Sequence, residues 1–374
     1  MHGYISAAKP STRRVLVTGA GGFIGHHLVT ALKTLGFWVR GVDVRFPPFA
    51  SSPADDYRLL DLTDRRGCLD ATHGVDDVFA LAAGPRDEPL DDAATLHNDV
   101  LVASNTAMAA SENDVARVVV AGTYTDADAA EDTVRLVREL ARRWSAATDL
   151  RVVRLPHVFG EHDAWDRGSD RSIARLCHRF AGAALVGDPA VDAPVDSRCL
   201  RRYLYVGDCV DALLEAMWAR STSPVIDVPG ELHSEGDMVD ELGRLAGVDV
   251  SAGSRGHPRR TQLSSLREGL SRTYRWVESE VRRELAALWP DGGGLELAGG
   301  DSDTFAYTVL IDGEPGEAGY LVLSEPLRDY VIAPDSRGED GDGSLMLITH
   351  VHAHPEHGRP GVAAGAILAG STGR

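Results

Sequence analysis

VLVTGAGGFIGHHLVTALKTLG (Val15–Gly36) is the stretch that decides the architecture of this chain. VLVTGA (Val15–Ala20) predicts a buried strand, and FIGHHLVTALKTLG (Phe23–Gly36) predicts a helix that stops at a glycine. Between them Gly19, Gly22 and Gly25 recur at every third position. Glycines there permit a tight turn and let backbone approach a pyrophosphate, while N–H groups at the helix start, around Phe23 and Ile24, attract its charge. The triplet alone fits an ordinary strand-to-helix turn equally well. What distinguishes it is WVRGVD (Trp38–Asp43), a second strand that ends in Asp43 about twenty residues on. A carboxylate at that place accepts from both ribose hydroxyls and repels a 2′-phosphate, which favours NAD over NADP. Arg40 and Arg45 lie close in sequence and pull the other way. Asp61, in DLTD, is either a group that reaches the adenine or a solvated turn residue.

The alternation continues beyond this stretch. DDVFALAA (Asp76–Ala83), ARVVVAGT (Ala116–Thr123) and RVVRLPHVFG (Arg151–Gly160) read as further strands, with helical patterns at Asn98–Ser111 and Glu131–Ala147 between them. Strands alternating with helices imply right-handed crossovers and an α/β fold with a doubly wound parallel sheet, here over residues 14–160. Residues 161–285 read as a smaller substrate lobe interleaved with that domain. It holds a helix near Ser172–Ala181, an Asp/Pro-rich loop, RRYLYVGDCVDALLEAMWA (Arg201–Ala219) and a helix over Leu266–Leu285. WPDGGG (Trp289–Gly294) breaks the composition, and residues 290–374 read as a C-terminal α/β appendage. Its expected elements are a hairpin over Phe305–Ser324, a strand at Ser344–Ala353 and a short helix at Gly361–Gly370.

Composition excludes several function classes. Of 374 residues 43% are hydrophobic and 25% charged, the balance of an ordinary folded protein. Asp and Glu outnumber Lys and Arg by 56 to 38, a formal charge of −18, so a phosphate-backbone partner such as nucleic acid is not expected. Cys68, Cys177, Cys199 and Cys209 form no CxxC pair, which argues for reduced thiols rather than a disulfide framework or zinc ribbon. MHGYISAAKPSTRR lacks a signal-peptide stretch, and no apolar run approaches the ~18 residues of a membrane span. The expected location is the cytoplasm, with no membrane partner.

VLVTGAGGFIG, GVD, DLTD, ALAAG and an Asn98 that opens a helix together resemble extended short-chain dehydrogenases/reductases that modify nucleotide sugars. LPHVFGEHDAW is similar to that family's R-x-x-N-x-Y-G-P segment, RRYLYVGDCVDAL to its R-x-F-x-Y-V-x-D segment, and SLREGLSRTYRWVESE to its last helix. Within the family, HDAW with CVDALLEA is most similar to the GDP-mannose 3,5-epimerase group. The resemblance implies a nucleotide-sugar substrate, NAD lined also by Leu81, Ala82, Ala83 and Asn98, and a homodimer built on the Asn98–Ser111 and Glu131–Ala147 helices. It further implies that Arg201 and Arg202 meet a nucleotide diphosphate, a surface ion pair being the plainer role.

The catalytic pattern departs from the family. Such enzymes use a Ser/Thr at a strand end and a Tyr-x-x-x-Lys pair on the next helix, where lysine helps the phenol take a proton. Thr123 supplies the hydroxyl, but EDTVRLVRELARRW has neither Tyr nor Lys, and those positions fall near Ala130 and Val134. Tyr124 is the nearest replacement, packing under a shortened loop being its plainer role. The proton-transfer pair of the epimerase group falls near Thr125 and Arg171, and Arg stays protonated at neutral pH.

In the tail, His350, His352 and His354 alternate along a strand and share one face, a pattern able to bind zinc, although no metal is assigned. PEHGRPGVA, with Gly361 and Ala363, resembles the acetyl-CoA segment of GCN5-related N-acetyltransferases, with Gly358 in place of the usual arginine and the chain ending early. Three functions therefore remain open: an NAD-dependent epimerase-like enzyme, a non-catalytic NAD-binding scaffold, and an acyl-CoA-dependent transferase acting through the tail.

Overall fold

The computed structural model describes residues 12–82, 92–123, 148–165, 172–186, 190–191, 199–219, 225–250 and 266–288, together with six strands between 294 and 368. The chain divides into two compact units, residues 1–163 with 201–232, and residues 164–200 with 233–374.

In the first unit β1 (Arg14–Thr18), α1 (Phe23–Thr34), β2 (Trp38–Asp43), β3 (Asp56–Leu59), α2 (Arg65–Thr72), β4 (Asp77–Ala80), α3 (Asp92–Glu112), β5 (Arg117–Thr123) and β6 (Asp149–Leu155) follow in order. After them the fold uses β7 (His157–Phe159), β9 (Leu200–Tyr205), α5 (Val206–Trp218) and β10 (Val225–Asp227). Seven of these strands form one sheet in the order β10-β6-β5-β4-β1-β2-β3. Every neighbouring pair is parallel. The order reverses between β1 and β4, the switch point where open α/β sheets hold ligands at their carboxyl ends.

Alternation along β1 explains why both faces are covered. Val15 and Val17 point into a core with Leu28 and Leu32 of α1 and Leu213 and Met217 of α5. Leu16 points the opposite way, to Cys68 and Ala71 of α2 and Val102 and Ala110 of α3. Pro156 separates β6 from β7, since it brings no N–H to a ladder, so the expected single strand over Arg151–Gly160 is two. α3 begins at Asp92, which puts Asn98 inside the helix rather than at its opening. The expected helix at Glu131–Ala147 lies outside the described residues.

The second unit contains α4 (Ile173–Val186), β8 (Ala190–Val191), α6 (Glu235–Ala246), β12 (Asp249–Val250) and α7 (Leu266–Leu288), with β8 and β12 paired in parallel. Ser234, at the end of β11 (Glu231–Ser234), caps α6 in a capping box with Asp237, and Gly247 closes that helix in the left-handed region at φ 69°. Beyond α7, β13 (Gly294–Asp301), β14 (Thr304–Ile311), β15 (Glu314–Val322), β16 (Asp329–Pro334), β17 (Met346–Thr349) and β18 (Ile367–Leu368) pair antiparallel in chain order. The expected hairpin is β14–β15. Within the expected helix at Gly361–Gly370, Ile367 and Leu368 instead pair with β17, because an apolar dipeptide at a sheet edge gains ladder hydrogen bonds there.

Candidate functional site

The site grows from the turn between β1 and α1. Gly19 sits at φ +69°, a conformation that side chains disfavour, and its carbonyl accepts from the Gly22 amide at 3.0 Å. A Cβ on Gly25 would lie 2.0 Å from that carbonyl, so only glycine lets the helix start this close to the strand. No side chain caps α1 and no acidic residue stands in its first turn, leaving the positive helix end at Phe23 and Ile24 open to an anion. Thr18 ties the switch point together: its Oγ1 accepts from the amides of Leu81 and Ala82, each at 3.1 Å. Leu81 and Ala82 thus border Gly19, whereas Ala83 lies outside the described residues.

Asp43 ends β2 beside the same turn. Its Oδ2 accepts from the Gly21 amide at 2.9 Å and its Oδ1 from the Arg45 amide at 3.2 Å. Arg45 is exposed, and its carbonyl accepts from the Tyr57 hydroxyl at 2.7 Å. Burial, aided by Asp43, pushes the Tyr57 phenol well above its ordinary range. Arg40 is a correction to the sequence-based expectation. At 4% exposure it pairs with Asp56 at 2.8 Å and donates to the carbonyls of Ala71 and His73. A guanidinium so engaged offers nothing to a 2′-phosphate, and the balance at the end of β2 tips toward NAD. Asp61 is exposed and turned onto Thr63, accepting from its amide at 2.9 Å and its hydroxyl at 2.8 Å.

β7 and β9 carry the second group of residues, paired in parallel with His157 opposite Tyr203. Neighbours on a strand face opposite ways, so Arg201 and Arg202 separate. Arg201 Nη1 lies 3.3 Å from His157 Nε2, while Arg202 is exposed and donates to the Gly230 carbonyl at 3.1 Å. Tyr205 donates to Glu161 Oε2 at 2.7 Å. Thr123 closes β5 opposite Leu155 of β6. Tyr124, Ala130, Val134 and Arg171 lie outside the described residues, as do His350, His352 and His354.

Cysteine chemistry finds no support in this unit. Burial pushes the Cys68 thiol up to about 11 and the Cys209 thiol up to about 12, which keeps both protonated. Among the described residues no group of three or more His, Cys, Asp or Glu is arranged to hold a metal ion. No helix among them is long and apolar enough to cross a membrane. The glycine turn, the open helix end and the carboxylate of Asp43 fit a dinucleotide: the cradle is one that a Cβ would fill, and its charges complement a pyrophosphate and a ribose.

Sequence reasoning missed a histidine cluster beside this cradle, formed by His26, His27 and His162. The tandem HH directly after the glycine fingerprint was its signal.

Residues 15–226 match the model of a family described as NAD dependent epimerase/dehydratase. Among curated proteins, GDP-mannose 3,5-epimerase 1 of Oryza sativa subsp. japonica is 23% identical over 333 residues, 76% of this chain and 85% of that protein. The GDP-mannose 3,5-epimerase of Arabidopsis thaliana is 24% identical over 73% of this chain and 84% of its own length. Among solved structures, MoeE5 in complex with UDP-glucose and NAD is 27% identical, covers 72% of this chain and 99% of its own, and superposes with a TM-score of 0.55. The NAD-dependent NDP-hexosamine 5,6-dehydratase TunA, at 22% identity and a TM-score of 0.56 over 72% of this chain and 98% of its own, shares the fold. The family match ends at residue 226 and lends no support to an acetyltransferase-like tail.

Proposed function

We propose, from the premise that the chain belongs to the NAD dependent epimerase/dehydratase family, that it is an NAD-dependent enzyme acting on a nucleotide-activated sugar in an epimerase-like reaction of specialised metabolism. NAD is the cofactor of this family. The observation that carries the reading is the Asp43–Gly21 hydrogen bond of 2.9 Å, which locks a ribose-recognising carboxylate onto the pyrophosphate turn. MoeE5, with its UDP-glucose and NAD, supports the substrate class.

When bound, NAD supplies reversible hydride acceptance beside the sugar ring. The chain's own residues do the rest. Gly19, Gly22 and Gly25 admit the pyrophosphate, the amides of Phe23 and Ile24 hold its charge, and Asp43 takes the ribose hydroxyls. Leu81 and Ala82 border the turn, with Ala83, Asn98 and Asp61 as outer contacts in this reading. Arg201 is the diphosphate contact, since it shares its side of β9 with Tyr203 and Tyr205 and reaches His157. Arg202, on the other side and engaged with Gly230, is the weaker contact of the pair.

Thr123 ends β5, and it and the next residue in the sequence, Tyr124, are the groups assigned to proton transfer, with Arg171 as an accessory charge. The working form is a homodimer in the cytoplasm, joined through α3 and the segment Glu131–Ala147. A second reading rests on one observation, that EDTVRLVRELARRW has neither Tyr nor Lys and the family's positions fall near Ala130 and Val134: an NAD-binding protein without turnover. Mass spectrometry of small molecules that co-purify with the protein, followed by a turnover assay on a panel of nucleotide sugars, tests both. Bound NAD with conversion of a sugar supports the enzyme, and NAD retention with no conversion supports the second reading.

A further inference from the structure

The loop that follows β7 rests on the first two turns of α1, the helix whose start forms the cofactor cradle. A Cβ on Gly160 would lie 2.3 Å from Val206 and 3.4 Å from the Phe23 ring, so loop and helix are in close contact there. Two residues on, His162 stacks on His26 with ring centroids 4.8 Å apart and planes 21° from parallel. His27 meets His162 edge-on at 5.3 Å, and Phe49 meets it edge-on at 6.3 Å. Hydrogen bonds fix the same loop from both sides: His27 Nε2 lies 2.7 Å from the Glu161 carbonyl, and Tyr205 donates to the Glu161 carboxylate.

Two features mark this cluster as more than packing. His26 is buried, and among the described residues its Nδ1 has no hydrogen-bond partner. His162 holds φ at +66°, a backbone conformation that costs energy for a residue with a Cβ and persists only where surroundings enforce it. Two facing imidazoliums would repel each other, and burial of the pair, with His26 Nδ1 lacking a partner among the described residues, disfavours charge on either ring. Rings lying face to face also do not converge on a common point, in keeping with the lack of a metal cluster among the described residues.

We propose that His26 and His162 are positioning residues for the cofactor helix, and that their stack closes the Gly160–His162 loop over it only while both imidazoles are neutral. Cofactor retention then weakens with acid. The inference rests on the NAD reading for its consequence and on the cluster alone for its cause.

Electrostatics around the pair agree. Burial first, then His26 and His27, pushes His162 down to about 4, against an opposing pull from Glu161. Burial and then His27 lower His26 as well. Among the described residues the charged or titratable groups that act on the pair are His27 on α1 and Glu161 in the loop, with the Tyr205 phenol bound to Glu161 and Phe49 adding no charge. In an open loop each imidazole regains an ordinary value of about 6.5. Each group is depressed in the closed form, so closure is fully favoured above pH ~6.5 and lost progressively as pH falls toward 4. Between pH 7.5 and 5.5 the closed-to-open ratio should drop about tenfold through His162 alone, and further in the same direction through His26.

Hydrogen–deuterium exchange of the Val158–His162 amides, corrected for intrinsic rates, reads that ratio without any cofactor. Protection in the unmodified protein should fall at least about tenfold from pH 7.5 to 5.5. His162→Asn keeps a residue that tolerates the left-handed conformation and should make the fall shallower by about tenfold. The double variant His26→Phe with His162→Asn should be independent of pH. Equal protection at both pH values in the unmodified protein overturns the proposal, and so does a double variant as acid-sensitive as its parent. NAD added at pH 7.5 should raise protection of the same amides. Failure of that arm, with acid opening intact, counts against the cofactor consequence and leaves the titrating stack in place.

Discussion

The Asp43 carboxylate accepts the Gly21 amide at 2.9 Å, so the end of β2 and the glycine turn after β1 form a single unit although 22 positions separate them. A group that reads the ribose is thereby aligned by the backbone that cradles the pyrophosphate. Selectivity and affinity for the dinucleotide should therefore change together.

Asp43→Ala should weaken NAD binding about tenfold to a hundredfold, the range for hydrogen bonds to a charged group. The preference for NAD over NADP should narrow at the same time, because the repulsion of a 2′-phosphate disappears. Calorimetric titration with both dinucleotides measures each effect. Equal affinities in the unmodified protein would contradict the role given to Asp43.

Gly25→Ala should abolish dinucleotide binding outright. Its Cβ would sit 2.0 Å from the Gly19 carbonyl, and the helix can only move away, taking its N–H groups from the pyrophosphate. Retained binding in a variant with native far-ultraviolet circular dichroism would show that the turn is not the cradle.

Arg40→Met should cost about 2 kcal/mol of stability, because the carbonyls of Ala71 and His73 lose their donor inside the fold. Its ratio of NAD to NADP affinity should stay unchanged, since the side chain faces away from the cradle. Urea denaturation beside cofactor titration separates the two outcomes.

Tyr124→Phe keeps the ring and removes the hydroxyl. General-base help is worth about 10²–10⁴-fold, so turnover of a nucleotide sugar should fall by that order while NAD affinity holds. Undiminished turnover would remove Tyr124 from the proton path.

A homodimer formed through α3 should bury well over ~1,000 Å² and persist at micromolar concentration. Light scattering is the check, and a monomeric mass at that concentration would refute the assembly.

Much of the fold was legible because its signals are local. The strand at Val15–Ala20, the glycine turn, the helix after it and the aspartate closing Trp38–Asp43 all declare themselves within a few residues. Less legible were β3, whose DYRL is polar and half exposed at a sheet edge, and the short α2, whose cap is a single aspartate, Asp64. α6 carries a legible signal in Ser234 and Asp237, a capping pair at the right spacing. Asn98 was misplaced at a helix start because helical periodicity marks a helix but not its first turn.

What the sequence by itself determined is the α/β alternation and the chemistry of the nucleotide turn, since both depend on periodicity and on glycine geometry along neighbouring residues. Only the tertiary structure decided the partners. Arg40 and Arg45 look equivalent in sequence, yet one is buried against Asp56 and the other faces solvent. Arg201 and Arg202 are adjacent, yet strand alternation sends them to different neighbours. His26 and His162 lie far apart in the chain and meet only because the loop after β7 packs on the start of α1. Periodicity fixes which way a side chain points along its own element, but the group waiting there is supplied by chain closure over long separations, which no local pattern encodes.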